Sequence, residues 1–175
     1  MNRIDRFTQR CVEFRIAHLR ARSRGHPDLV VFVDGDGSNV VEELPSLIAP
    51  ILNGEAELVI GSRTRRSEPG SLTFPQKFGN VLATRLLSLL YGMHYTDLGP
   101  FRAVSWDALE RLHMVDRNYG WTVEMQIKAA KQRLPVREID VSNKPRIAGR
   151  SKVAGTIRGV TGAGFKIIYT ILKYR

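Results

Sequence analysis

The chain has 175 residues, 43% hydrophobic and 25% charged, which is the balance of a single globular domain and excludes a disordered chain. One cysteine, Cys11, excludes a disulfide framework, and the absence of any run of 18 apolar residues leaves no obvious membrane span. The net charge of +10 is uneven: residues 1–25 hold seven basic and two acidic groups, residues 144–175 eight basic and no acidic ones, and the middle nets −3. Such cationic ends suit an anionic partner, whether nucleic acid, a phosphorylated ligand or an anionic membrane.

In chain order, Met1-Asn2-Arg3-Ile4-Asp5 lacks the apolar core of a signal peptide, so the expectation is a soluble or peripheral protein made in the cytosol. Residues 4–24 read as a basic helix with Ile4, Phe7, Cys11, Phe14 and Leu19 roughly on one face. Gly25-His26-Pro27 breaks it. Leu29 to Val33 is a continuous apolar run, the mark of a strand buried on both faces. The loop Asp34-Gly35-Asp36-Gly37-Ser38-Asn39 follows, then a helix with Leu44, Leu47, Ile48, Ile51 and Leu52 inward, which Pro50 should bend or shorten. Leu58-Val59-Ile60 starts a second buried strand ending at Gly61-Ser62-Arg63, completing a parallel crossover. Residues 64–74 are a polar loop and 76–91 a long helix; 96–102 form a loop, 106–113 a short helix, 120–133 another helix and 135–142 a final strand. A basic loop, 143–152, leads into a glycine-bearing helical stretch, 153–173.

Side chains two apart on an extended chain point the same way, so Asp34 and Asp36 should converge at a strand tip. Ligands of open α/β sheets bind at the carboxyl ends of strands, and two carboxylates there suit Mg²⁺ or Mn²⁺ completed by substrate phosphates. The alternative is a solvated Asp-Gly turn.

Val31-Phe32-Val33-Asp34-Gly35-Asp36-Gly37 resembles the DxD segment of inverting family 2 glycosyltransferases of GT-A fold. The resemblance continues in order through Glu57-Leu58-Val59-Ile60-Gly61-Ser62-Arg63, Gly79-Asn80 and Thr96-Asp97-Leu98-Gly99-Pro100-Phe101-Arg102. It resumes at Tyr119-Gly120-Trp121-Thr122-Val123-Glu124-Met125 and ends at Gly149-Arg150-Ser151-Lys152. Within the family it looks like the polyprenyl-phosphate (dolichol-phosphate mannose or glucose synthase) branch. It implies an α/β, Rossmann-like nucleotide-diphospho-sugar transferase fold, with residues 1–152 as a partial GT-A domain and 153–175 as a basic amphipathic C-terminal helix. The implied reaction moves a hexose from a nucleotide sugar to a polyprenyl-phosphate or other lipid acceptor, at the cytosolic face of a membrane.

The resemblance also implies roles. Asp34 meets the sugar nucleotide and, with Asp36, holds Mg²⁺ or Mn²⁺; Ser38 stands where relatives often carry a glutamine near the metal. Arg63 matches an arginine that approaches the donor, and its alternative is a surface salt bridge. Asp97 matches a carboxylate that assists the acceptor nucleophile, either as a base or, because a phosphate is already ionised near neutral pH, by positioning groups. Its alternative is a loop cap. Where relatives read Ser-Gly-Phe-Arg after this aspartate, the chain has Gly99-Pro100-Phe101-Arg102, and Arg102 pairs either with Asp97 or with a phosphate. Glu124 is either a site residue or a structural partner for an arginine. Arg146, Arg150, Ser151 and Lys152 form the loop expected to close over the donor diphosphate and acceptor phosphate; a solvated basic face is the alternative. His18, His26, His94 and His113 lack metal-ligand spacing.

On residues 153–173, Val153, Ile157, Val160, Ile167, Ile168 and Ile171 recur at helical spacing, with Arg158, Lys166 and Lys173 on another side. Such a helix either lies in an anionic membrane interface or docks on the protein's own sheet. Relatives begin with strands that bind the base and ribose, and the first βαβ portion of the fold is expected to be missing. The competing function is a non-catalytic fragment or basic module binding membrane or a partner; a second copy of the chain is a further candidate partner. Nucleic acid is not expected, since the basic residues lack an interleaved aromatic platform.

Overall fold

The computed structural model describes residues 14–19, 27–145 and 157–175. Five strands, β1 (Phe14–Leu19), β2 (Leu29–Asp34), β3 (Leu58–Ser62), β4 (Arg102–Ser105) and β5 (Val136–Asp140), form one sheet in the order β1-β2-β4-β3-β5. β2, β3 and β5 run parallel; β4 runs against its neighbours β2 and β3, and β1 lies antiparallel on the outer edge of β2.

Two elements differ from the sequence reading. The span read as a helix over 4–24 contains a strand, β1, whose six residues pair along the whole of β2 from Leu19↔Leu29 to Phe14↔Asp34. The N–H and C=O groups on that edge of β2 supply a partner that helical periodicity does not register. β4 falls where only the end of a loop was expected. It is four residues long, and its first residue is an arginine, so no apolar run announces it. It slots between β2 and β3, which are therefore parallel but not adjacent.

Five helices, α1 (Leu44–Leu52), α2 (Phe74–Tyr91), α3 (Trp106–Leu112), α4 (Trp121–Lys131) and α5 (Ile157–Lys173), follow their expected spans closely. α1 runs on through Pro50 to Leu52 and ends at left-handed Gly54 (φ +73°), where the Pro50 carbonyl accepts from Glu55 and Ala56. α2 opens with Thr73 N–H donating to Gln76 Oε1 (2.8 Å) and closes at left-handed Gly92 (φ +67°).

The alternation along β2 sets the layers. Leu29 and Val31 pack with Leu47 of α1 on one face. Val30 and Phe32 pack on the other with Leu109 of α3 and with Trp121 and Met125 of α4. The opposite side of α4, through Val123 and Ile127, meets Ala83 and Leu87 of α2 and Ile171 of α5. Thus α4 is enclosed on two sides, and α2 with α5 forms an outermost layer. No helix among the described residues is long and apolar enough to cross a membrane.

Candidate active site

Because β4 runs against its neighbours, it begins where β2 and β3 end: Arg102 sits opposite both Phe32 and Ile60. The loops after β2 and β3 and the loop before β4 therefore meet at one edge of the sheet.

The loop after β2 is held by its own side chains. Asn39 Oδ1 accepts the Asp34 N–H and Asp36 Oδ1 accepts the Ser38 N–H, both at 2.9 Å. Gly37 takes φ +75°, open to glycine at little cost. Asp36 thus stands in a turn rather than on extended chain, so strand alternation does not set its place relative to Asp34. Both carboxylates lie near enough to Arg63 to act on its charge.

Arg63 and Asp97, 34 residues apart, make the central pair. The Arg63 backbone N–H (2.9 Å) and Nε (2.7 Å) donate to Asp97 Oδ2, and Nη2 donates to Oδ1 (2.9 Å). The Asp97 side chain is 2% exposed and that of Arg63 16%, so solvent screens the pair little. Burial works against the guanidinium's charge, but the Asp97 bond and the charges of Asp97, Asp34 and Asp36 hold Arg63 above its ordinary pKa. Two glycines permit this approach. A Cβ at Gly99 would press into the Gly61 carbonyl oxygen and come within 3.2 Å of Asp97 Oδ2; one at Gly61 would meet Phe101 O at 2.9 Å.

A second group of side chains fixes the loop carrying Asp97. Asn80 of α2 donates to Thr96 O (2.9 Å) and accepts from Leu98 N–H (2.8 Å). Gln126 of α4 donates to Asp97 O (3.0 Å). Glu138 of β5 accepts the N–H groups of Thr96 (3.0 Å) and Asp97 (3.2 Å), and burial pushes its carboxyl up despite these donors. Sequence reasoning gave none of these three a role. Only Asn80 carried a signal, as part of the Gly79-Asn80 motif.

Arg102 takes different partners from those expected. It is fully buried and donates from Nε to Gly99 O (3.0 Å), from Nη1 to Thr122 O (3.1 Å) and from Nη2 to Leu98 O (3.2 Å), with its guanidinium 5.0 Å from the Trp121 ring centroid. Asp97 is bonded to Arg63, and backbone carbonyls already absorb the Arg102 donors. Burial lowers its pKa to about 9, so it stays cationic at neutral pH. Arg102 shapes the loop from beneath.

Glu124 is buried elsewhere. Its carboxylate accepts from Val115 N–H (3.0 Å), Asp116 N–H (2.6 Å) and Tyr174 Oη (2.7 Å) and pairs with Lys128 (2.7 Å). None of these partners belongs to the Asp34, Asp36, Arg63, Asp97 group. The structural role anticipated as one alternative is what the geometry displays, with a lysine in place of an arginine. Arg146, Arg150, Ser151 and Lys152 lie outside the described residues. The chain entering that segment is anchored at the site: Lys144 N–H donates to Ser38 O (2.9 Å), and Asn143 bridges to Asn39 and Ser67.

A cavity of about 520 Å³ opens from the Arg63–Asp97 pair outward between α2 and α5. Its polar lining is Arg63, Asp97 and Asn80 with Thr64, Ser67, Gln76, Lys77 and Thr122. Its walls are Leu72, Pro75 and Val81 on one side and Val160, Ala163 and Ile167 on the other.

No protein-family profile matches the chain. An uncharacterized glycosyltransferase of Mycobacterium tuberculosis is 36% identical over 133 residues, 75% of this chain and 59% of the relative. A UDP-N-acetylglucosamine–dolichyl-phosphate N-acetylglucosaminyltransferase of Methanococcus voltae is 31% identical over 152 residues (85% and 59%), and an undecaprenyl-phosphate mannosyltransferase of Micrococcus luteus 30% over 149 (78% and 57%). The chain therefore spans less than two thirds of these relatives. Among solved structures, glucosyl-3-phosphoglycerate synthase of Mycobacterium tuberculosis, in complex with Mn²⁺, uridine diphosphate and glucosyl-3-phosphoglycerate, superposes with a TM-score of 0.63 at 22% identity, covering 85% of this chain and 50% of that one. These likenesses show that the chain has the GT-A fold and is related to glycosyltransferases that include dolichyl-phosphate and undecaprenyl-phosphate sugar transferases.

Proposed function

We propose that the site transfers a hexose from a nucleotide sugar to a lipid phosphate. The cavity carries this reading. Its lining joins the Arg63–Asp97 pair, with Ser67, Gln76 and Lys77, to apolar Leu72, Val81, Leu98, Val160 and Ile167, and the charges of Asp34 and Asp36 reach Arg63. A small polar acceptor has no use for the apolar lining, whereas a phosphate on a hydrocarbon chain uses both kinds.

The residues present fit a divalent ion. Asp34 and Asp36 offer hard oxygen ligands. Two carboxylates suit Mg²⁺ or Mn²⁺, whose other ligands come from phosphates and water; when bound, the ion neutralises charge on the departing diphosphate. Asn39 Nδ2, buried without a hydrogen-bond partner, is a leftover donor in the same loop. Asp34 meets the donor, and Arg63 stands between donor and acceptor sides, its charge shared by Asp97, Asp34 and Asp36. Asp97, its oxygens engaged by Arg63, positions the acceptor phosphate's surroundings rather than removing a proton, since a phosphate whose second pKa is about 6 is already ionised. Arg146, Arg150, Ser151 and Lys152 supply phosphate contacts in this reading.

The test is transfer of radiolabelled sugar from UDP-glucose, UDP-N-acetylglucosamine and GDP-mannose to polyprenyl phosphate or 3-phosphoglycerate. It is run with Mn²⁺, using the chain alone and the chain joined to the N-terminal segment of its mycobacterial relative. Label in the lipid supports the reading. Label only in 3-phosphoglycerate, or in neither acceptor with either protein, overturns it.

A further inference from the structure

We infer that Asn39 is a phosphate-binding residue: its side-chain Nδ2 donates to an oxygen of the metal-bound diphosphate. This role rests on the transfer reading proposed above and adds to it a neutral contact beside the charged ones. The amide is held in one orientation. Asn39 Oδ1 accepts the Asp34 N–H (2.9 Å), and turning the amide over would set its NH₂ group against that N–H, donor against donor. Nδ2 is therefore the end left over. Among the described residues it has no hydrogen-bond partner, although Asn39 is only 6% exposed. Chain crossing the loop encloses it: Asn143 bridges to Asn39, and Lys144 N–H donates to Ser38 O (2.9 Å).

A buried N–H without an acceptor is costly, and folded proteins keep few of them. Among the described residues, the buried side-chain polar atoms without a partner are Asn39 Nδ2 and Gln126 Oε1. Both belong to residues that hold the site's loops, since Gln126 donates to Asp97 O (3.0 Å). Gln126 offers an acceptor, which an ionised phosphate cannot answer. Asn39 offers a donor, which it can. The neighbouring turn is already closed, with Asp36 Oδ1 accepting the Ser38 N–H (2.9 Å). What the Asn39 amide lacks is an oxygen, and a diphosphate brings several.

The chemistry of the loop favours a neutral donor at this position. Asp34 and Asp36 attract a cation but repel the anion it carries. A lysine in place of Asn39 would pair with them and compete with the metal, whereas an amide binds a phosphate oxygen and leaves both carboxylates to the ion. A donor fixed in advance by the Asp34 N–H also costs little reorganisation, and its bond strengthens as charge collects on the departing group.

The test follows the amide itself, by heteronuclear NMR on the isotope-labelled whole chain. The Asn39 NH₂ signals are identified by their loss in Asn39→Ser and recorded with Mg²⁺ alone and with Mg²⁺ plus pyrophosphate, which presents phosphate oxygens without base or sugar. One NH₂ proton should move downfield, and exchange more slowly with water, when pyrophosphate is added to the Mg²⁺-loaded protein. Asn39→Asp keeps an acceptor for the Asp34 N–H but loses the donor. It should bind Mg²⁺ at least as tightly as the parent and Mg²⁺-pyrophosphate about tenfold or more weakly, a deficit that persists at high salt, where the added charge is screened. An NH₂ signal that stays put while pyrophosphate binds overturns the inference and leaves the transfer reading standing. So does a shift already complete with Mg²⁺ alone, or equal pyrophosphate affinity in parent and Asn39→Asp. A parent chain that binds no pyrophosphate with Mg²⁺ overturns the transfer reading and this role together.

Discussion

The Arg63–Asp97 pair predicts a large, measurable coupling. Asp97→Asn keeps one acceptor oxygen but removes the charge that three N–H groups address, leaving a mostly buried guanidinium with the charges of Asp34 and Asp36 nearby. Breaking a buried pair from one side costs about 3–5 kcal/mol; the retained oxygen reduces this to about 2–4 kcal/mol. Arg63→Gln should cost about 2–3 kcal/mol, because Asp97 keeps the Arg63 backbone N–H as a donor. The two losses overlap, so the double variant should be less destabilised than their sum by about 1.5–3 kcal/mol. Urea unfolding followed by circular dichroism, on the four proteins at one pH, closes the cycle. A coupling below about 0.5 kcal/mol, the scatter expected of independent sites, would show that the pair is not the element joining the two loops.

Two further outcomes are expected. Asp36→Ala should abolish the Mn²⁺- or Mg²⁺-dependent part of UDP or GDP binding while leaving the unfolding midpoint near that of the parent; calorimetry giving the same metal dependence in both proteins would contradict the metal assignment. Glu138 is pushed up by burial, so the folded state keeps its proton to higher pH than the unfolded chain does. Its contribution is therefore present below the ordinary carboxylate value and is lost as pH rises through the raised one. Glu138→Gln, whose oxygen can still accept from Thr96 and Asp97, should flatten that fall in urea-derived stability, and identical pH slopes would refute the account.

What the sequence disclosed depended on how local the cause was. β2 was legible because Leu29 to Phe32 are buried on alternating faces, which leaves a continuous apolar run. β4 was not, since a short ladder beginning with a buried arginine has no pattern of its own. Arg102 misled for the same reason: a cation reads as solvent-facing or ligand-facing, and only the folded loop supplies the carbonyls that absorb it. Asp34 and Asp36 were singled out from the strand and its acidic loop and Arg63 and Asp97 by resemblance, but the contact between Arg63 and Asp97 depends on Gly61 and Gly99 lying back to back. Residues separated by nearly 40 positions carry no local sign of that.

The shortest strand of the sheet also governs the order in which the chain assembles. β4 is four residues long, yet it joins β2 to β3, and about 40 residues containing all of α2 separate it from the end of β3. Closing that span costs entropy before any ladder bond repays it, and contacts so distant in sequence are the kind that slow folding. Until β4 arrives, the facing edges of β2 and β3 are open, and both strands are made almost wholly of apolar residues. Chains meeting in that interval can pair edge to edge with one another instead. The rate at which β4 inserts therefore sets the balance between native molecules and aggregates, and residues that shape the loop before it, such as Asn80 and Arg102, influence yield as well as the site.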